Sequence, residues 1–72
     1  MLNSELLKNR INDSGLKKKF IAEQLGITYQ GYNLKENGIN EFTASEIQGV
    51  KKLLALTDKD VKAIFFSEKV DK

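Results

Sequence analysis

The sequence predicts an all-α domain of five short helices, and three observations favour this fold class. The 72 residues contain no proline, the residue that interrupts a helix because it lacks a backbone N–H. Most glycines fall where the apolar periodicity of a segment stops, as helix-ending residues do. Thr43 and Thr57 each precede an acidic residue by three positions, the spacing of a helix-starting capping box. A chain of this length is predicted to form one domain over residues 1–72.

The first two predicted helices lie before Gly26. The first begins at Asn3 or Ser4, either of which can cap its N terminus, and it ends before Gly15. The second spans about residues 17–25, and Gly26 supplies a left-handed turn after it. The side chains expected to face the core are Leu6, Leu7 and Ile11 in the first helix and Phe20, Ile21 and Leu25 in the second.

The third and fourth predicted helices flank the Asn37-Gly38 pair, which suits a positive φ. The third helix runs from Thr28 to about Glu36. The fourth begins at the capping box of Thr43, where Phe42 can pack against a residue of the first turn. Its expected buried stripe is Ile47, Val50 and Leu54.

The fifth predicted helix begins at Thr57, with Asp60 at the third position of its capping box. Its expected core residues are Val61, Ile64 and Phe65. Phe66 follows Phe65 directly and must point elsewhere, so two interpretations stay open. Phe66 either adds to the core or, with Val70, forms a small exposed apolar patch for a partner.

The composition argues against an enzyme. Cysteine and histidine are absent, which removes thiol nucleophiles, imidazole bases and most zinc sites. Asp58 and Asp60 are the only close acidic pair, and their position in a first helical turn favours a structural role over acid-base catalysis. We therefore expect no enzymatic activity, no metal, no cofactor and no small-molecule ligand.

Charge is unevenly distributed along the chain, although the formal net charge is only +2. Residues 8–19 carry five basic side chains and a single acidic one, whereas basic and acidic residues balance from residue 41 onward. No apolar run approaches the roughly 20 residues of a membrane span, and the first residues lack the pattern of a signal peptide. The sequence predicts a cytoplasmic protein with no membrane partner.

Residues 18–37 have the features of a helix-turn-helix unit. Two short helices at a steep angle need a small residue where they approach and often a glycine in the turn. Ala22 and Gly26 meet these needs. The apolar residues expected to hold the crossing are Ile21, Leu25, Ile27 and the core-facing Tyr32.

The stretch from Lys18 to Gly38 resembles the helix-turn-helix of lambda-repressor-like and Cro-like phage regulators. The segments "GITYQGYNLKENG", "EFTASEI" and "DVKAIFF" are similar to small switch proteins of temperate phages of Gram-positive bacteria, among them the modulators of repression of lactococcal phages. The resemblance implies a lambda-repressor-like DNA-binding domain in the cytoplasm of a bacterial host.

In this family the second helix of the motif lies in the DNA major groove, with basic side chains on the phosphates. The resemblance therefore implies two sets of candidate contacts. The candidates for base contacts are Thr28, Tyr29, Gln30, Asn33 and Leu34. The candidates for phosphate contacts are Lys17, Lys18 and Lys19, which are equally well explained as a solvated helix start.

Three departures weaken the expectation of direct DNA binding. Lys35 stands where the motif normally has an apolar residue, so its helix is expected to be rotated or less firmly anchored. Gly31 lies inside that helix and costs about 0.5 to 1 kcal/mol relative to alanine. Arginine, the commonest reader of guanine, is absent from residues 28–38.

Two functions follow from the resemblance. The favoured one is an antirepressor, or modulator, that binds the N-terminal DNA-binding domain of the phage repressor and alters its operator binding. The alternative is a Cro-like homodimer that binds operator DNA through the helix at residues 28–36. The partner-contact candidates are Tyr29, Tyr32, Glu36 and Phe66. The acidic residues that could pair with a basic repressor surface are Glu36, Glu41, Asp58, Asp60 and Glu68.

Overall fold

A computed structural model describes residues 1–67, which form five α-helices and no β-strand. The helices are α1 (Ser4–Ser14), α2 (Lys18–Leu25), α3 (Tyr29–Glu36), α4 (Ala44–Leu53) and α5 (Asp58–Phe65). The prediction of an all-α chain with five helices is confirmed. None of these helices is long and apolar enough to cross a membrane.

The helix starts follow the capping signals of the sequence. Asn3 Oδ1 accepts a hydrogen bond from the Leu6 N–H, and Thr28 Oγ1 accepts one from the Gly31 N–H. Helices α4 and α5 both begin with a complete capping box, in which Thr43 or Thr57 exchanges hydrogen bonds with the third residue of the helix. These contacts satisfy backbone N–H groups that have no partner inside the helix.

The ends of α2 and α3 use glycine in the left-handed region. Gly26 has φ 75° and Gly38 has φ 81°, and the backbone N–H two residues after each helix donates back into its last turn. Three residues then connect α2 to α3, a length typical of a helix-turn-helix turn. The positive φ predicted at the Asn37-Gly38 pair is confirmed at Gly38, while Asn37 has φ −89°.

The core is shared by all five helices and the segment before α5. Its buried members are Leu7, Ile11, Ile21, Ala22, Tyr32, Val50, Leu56, Ile64 and Phe65. The rings of Tyr32, Phe42 and Phe65 pack edge to face, with centroid distances of 6.1 and 5.2 Å. These three rings join α3, the loop before α4, and α5.

The prediction that Phe20 faces the core is wrong. Its side chain is 41% exposed, because the next two residues of α2, Ile21 and Ala22, occupy the inward positions. Helix α4 packs closely on the same helix: a Cβ added to Gly49 would lie 2.6 Å from Leu25 Cδ2. The lack of a side chain at Gly49 therefore allows this approach.

Candidate functional site

The outward side of α3 carries Tyr29, Gln30, Asn33 and Leu34, which we call the α3 face. The spacing of these residues places them on one side of the helix. Tyr29 is 43% and Leu34 40% exposed, Gln30 is exposed and Asn33 is half-buried. The structure thus brings together four of the five residues predicted to contact bases. The fifth, Thr28, is exposed just before the helix and its hydroxyl caps α3.

The two charged side chains of α3 are both paired within the protein. Lys35 Nζ lies 2.6 Å from Glu46 on α4, and only 16% of the Lys35 side chain is exposed. Glu36 is 1% exposed, and its Oε1 lies 2.9 Å from Lys18 Nζ on α2. The α3 face itself therefore has no charged group.

Glu36 is the centre of a buried polar network. Tyr32 Oη donates to Glu36 Oε2 at 3.1 Å, and Ser4 Oγ of α1 donates to the Glu36 carbonyl at 2.6 Å. Together with Lys18, these contacts link α1 and α2 to the end of α3. Burial, reinforced by the neighbouring Glu36 carboxylate, raises the pKa of Tyr32, so its hydroxyl remains a donor at ordinary pH.

The predictions that Tyr32 and Glu36 contact a partner are wrong. Both side chains are almost fully inaccessible, because they lie one turn apart on the inward side of α3. The apolar pattern had indicated a core position for Tyr32. The signal missed for Glu36 was its position four residues after that tyrosine, where a hydroxyl and a carboxylate on one helix face can meet.

The fold places the three lysines at the start of α2 in different surroundings. Lys17 and Lys19 are exposed, as phosphate contacts or a solvated helix start would require. Lys18 instead forms the ion pair with Glu36, so it is not a free phosphate contact in this conformation. The sequence alone could not separate the three lysines, because the partner of Lys18 lies on a different helix, far along the chain.

Lys35 anchors α3 through a charge rather than an apolar contact. Burial works to raise the pKa of Glu46, but hydrogen bonds from Lys35 and from the Thr43 N–H outweigh it and hold the pKa below its ordinary value. The position expected to leave the helix rotated or less firmly anchored is thus filled by a polar contact. A part-buried ion pair, fixed by a helix cap, replaces the apolar residue.

A second surface is an apolar groove of about 460 Å³, here called the terminal groove. Its apolar lining residues are Met1, Leu2, Phe42, Ile47, Phe65 and Phe66. Phe66 is 57% exposed, so it adds to the surface rather than to the core. Val70, the expected companion of Phe66 in an exposed patch, and Glu68, one of the acidic candidates, lie outside the described residues.

The remaining acidic candidates differ in their surroundings. Glu41 and Asp58 are exposed, and Lys51 donates a hydrogen bond to Asp58 that lowers its pKa. Asp60 is half-buried, and the Thr57 N–H is the main cause of its lowered pKa. Arg10 also pairs with Asp60 at 2.8 Å. The structural role predicted for Asp58 and Asp60 in the first turn of α5 is confirmed.

The α3 face can recognise polar and apolar groups but offers no charge to neutralise an anion. Its phenol, its two amides and its leucine can bind a peptide surface or the edges of bases. Comparison of the chain with protein-family models, curated proteins and solved structures finds no match. The function is therefore proposed from the surfaces of the described residues.

Proposed function

We propose that this protein is a helix-turn-helix modulator of a temperate-phage switch, an antirepressor that binds the N-terminal DNA-binding domain of the phage repressor. The uncharged α3 face carries this proposal. DNA binding depends on cations that neutralise phosphates, whereas aromatic and apolar side chains with few charges are typical of the centre of a protein interface. Binding at the repressor's DNA-contacting surface would alter operator binding by competition.

The geometry of α2 and α3 supports a helix-turn-helix unit. Ala22 is 1% exposed between the helices, Gly26 makes the turn, and Tyr32 points into the core. The opposite side of α3 then faces solvent. The proposed contact with the repressor uses this solvent-facing side of α3.

Exposed carboxylates support the choice of a basic partner. A DNA-binding domain must be positively charged where it contacts phosphates. Glu41 is exposed and forms no ion pair within residues 1–67, and Asp58 is exposed in a surface pair with Lys51 that is easily exchanged. Both charges would attract such a surface and accelerate encounter. Their contribution is to the association rate, so raising the salt concentration should slow association more than it speeds dissociation.

Titration calorimetry of the chain with the repressor's DNA-binding domain tests the proposal. We expect binding at micromolar concentration, weakened about tenfold or more by Tyr29→Ala, because tyrosine is a frequent interface hot spot. Phe20→Ala is the matched control, since it removes a ring of nearly equal exposure, 41% against 43%, that lies on α2 and outside the α3 face. If the unmodified chain does not bind at these concentrations, the proposal is wrong.

The alternative is a Cro-like homodimer that binds operator DNA directly. Exposed Lys17 and Lys19, together with the amides of Gln30 and Asn33 on the α3 face, favour it. The discriminating variant is Gln30→Ala combined with Asn33→Ala. If the unmodified chain binds operator DNA by itself and this variant does not, the Cro-like function replaces the antirepressor proposal.

A further inference from the structure

Two lysines of the helix-turn-helix segment are neutralised from inside the protein. Residues 18–37 contain three lysines and no arginine. Lys18 pairs with Glu36 at 2.9 Å, and Lys35 pairs with Glu46 at 2.6 Å. Lys19 is the exposed lysine that remains in this segment. These two ion pairs lower the number of lysines in the segment that can contact phosphates.

Both carboxylates are held in place by other groups. Glu36 accepts a hydrogen bond from Tyr32 Oη and is 1% exposed, and Glu46 accepts one from the Thr43 N–H at 2.9 Å. Ion pairs between two flexible surface side chains are easily exchanged for other partners. A lysine that leaves a buried carboxylate instead leaves an uncompensated charge in the interior, which is costly.

We propose that Glu36 is a specificity-determining residue that withholds Lys18 from DNA phosphates, with Glu46 doing the same for Lys35. The inference rests on the proposed function, because it explains how a helix-turn-helix surface disfavours DNA while its α3 face stays available to a protein. The first helix of such a motif crosses the DNA backbone, and Lys18 is the first residue of α2. Releasing Lys18 would therefore add a phosphate contact.

The experiment measures non-specific DNA affinity as a function of salt, by fluorescence anisotropy with a short duplex of arbitrary sequence. Each added phosphate contact steepens the slope of log K against log salt by about 0.9. We expect Glu36→Gln to steepen the slope by about this amount relative to Glu23→Gln. The second variant has the same net charge but alters an exposed residue of α2.

A double variant assigns the effect to the released lysine. Lys18→Gln combined with Glu36→Gln restores the net charge of the unmodified chain, and we expect its slope to return to that of the unmodified chain. Equal slopes for Glu36→Gln and Glu23→Gln would overturn the inference. A steep slope that survives in the double variant would overturn it as well.

Circular dichroism shows whether the variants are folded. A second pair of variants is used if Glu36→Gln does not fold. Glutamine retains an acceptor for Tyr32, so Glu36→Gln should fold. If it does not, Glu46→Gln is compared with the matched exposed variant Glu41→Gln, and equal slopes there overturn the inference. Calorimetry with the repressor domain is run in parallel. If the unmodified chain does not bind that domain, the proposed function is refuted, but the comparison of the salt slopes still tests the inference.

Discussion

Glu46 shows how one side chain can serve a helix end and a tertiary contact together. One carboxylate oxygen accepts the Thr43 N–H, which completes the capping box of α4, and both oxygens lie 2.6 Å from Lys35 Nζ. The box is a local signal of four residues, so the sequence predicted it. The ion pair joins residues eleven positions apart in the chain, and the cap holds the carboxylate where Lys35 can reach it.

Glu46→Gln is expected to lower the free energy of unfolding at pH 7 by about 1 to 2 kcal/mol, because it weakens the cap and removes the charge facing Lys35. The folded pKa of Glu46 lies below its ordinary value of 4.5. Its contribution is therefore complete above pH 4.5 and is lost as the pH falls through the folded pKa. Urea denaturation of both proteins across this range measures the effect.

The difference between the unmodified chain and Glu46→Gln should accordingly shrink as the solution is acidified. Glu41→Gln serves as the control, since Glu41 is exposed and forms no ion pair within residues 1–67. A difference that stays constant from pH 7 to acid would show that the carboxylate charge is not the stabilising feature.

Helix α4 ends in the left-handed turn that is typical of glycine, although no glycine is present there. Ala55 has φ 53°, and the Leu56 N–H donates to the Lys51 carbonyl at 2.9 Å, as at the ends of α2 and α3. The sequence marked those two ends with Gly26 and Gly38 but carried no such signal here. A residue with a side chain adopts this conformation only at a cost, so contacts beyond the turn must hold it there.

Ala55→Gly is expected to raise the free energy of unfolding by about 1 kcal/mol, because glycine relieves the left-handed backbone. Gly26→Ala should lower it by a similar amount. A Cβ at Gly26 meets nothing within 4 Å, so the backbone alone accounts for the cost. Chemical denaturation of the two variants provides the comparison. If Ala55→Gly instead lowers the free energy of unfolding, the alanine side chain stabilises the fold by more than its left-handed backbone costs.

All five helices contribute to one small core, and three aromatic rings contact one another in it. Phe42 lies between Tyr32 and Phe65 and packs edge to face against both. A domain of this size has a total stability of only several kcal/mol. A single ring that joins three parts of the chain therefore accounts for a large share of it.

Phe42→Ala should lower the free energy of unfolding by about 2 to 3 kcal/mol and the Tm by roughly 10 to 20 °C. Phe66→Ala removes the same atoms from a ring that is 57% exposed and should change the Tm far less. Thermal denaturation followed by circular dichroism measures both. Similar losses in the two variants would indicate that the Phe66 ring is packed as firmly as the Phe42 ring.

Local sequence signals were enough to predict the five helices, the N-terminal caps of α1, α4 and α5, and the glycine turns after α2 and α3. Each of these depends on residues within about four positions of one another, so local hydrogen bonding and backbone preference suffice. Tyr29, Gln30, Asn33 and Leu34 became candidates through the resemblance to helix-turn-helix regulators, and their helical spacing agrees with one shared side of α3. The candidate site was predictable to this extent.

Only the tertiary structure decided which side chains of that site remain free. Lys18 meets Glu36 and Lys35 meets Glu46 because separate helices bring them together, and no spacing in the sequence encodes those pairs. Burial of Glu36 likewise depends on α1 and α2 closing over the end of α3. Charge pairing and exposure are properties of the packed chain, and in this protein they leave α3 with an uncharged outer face.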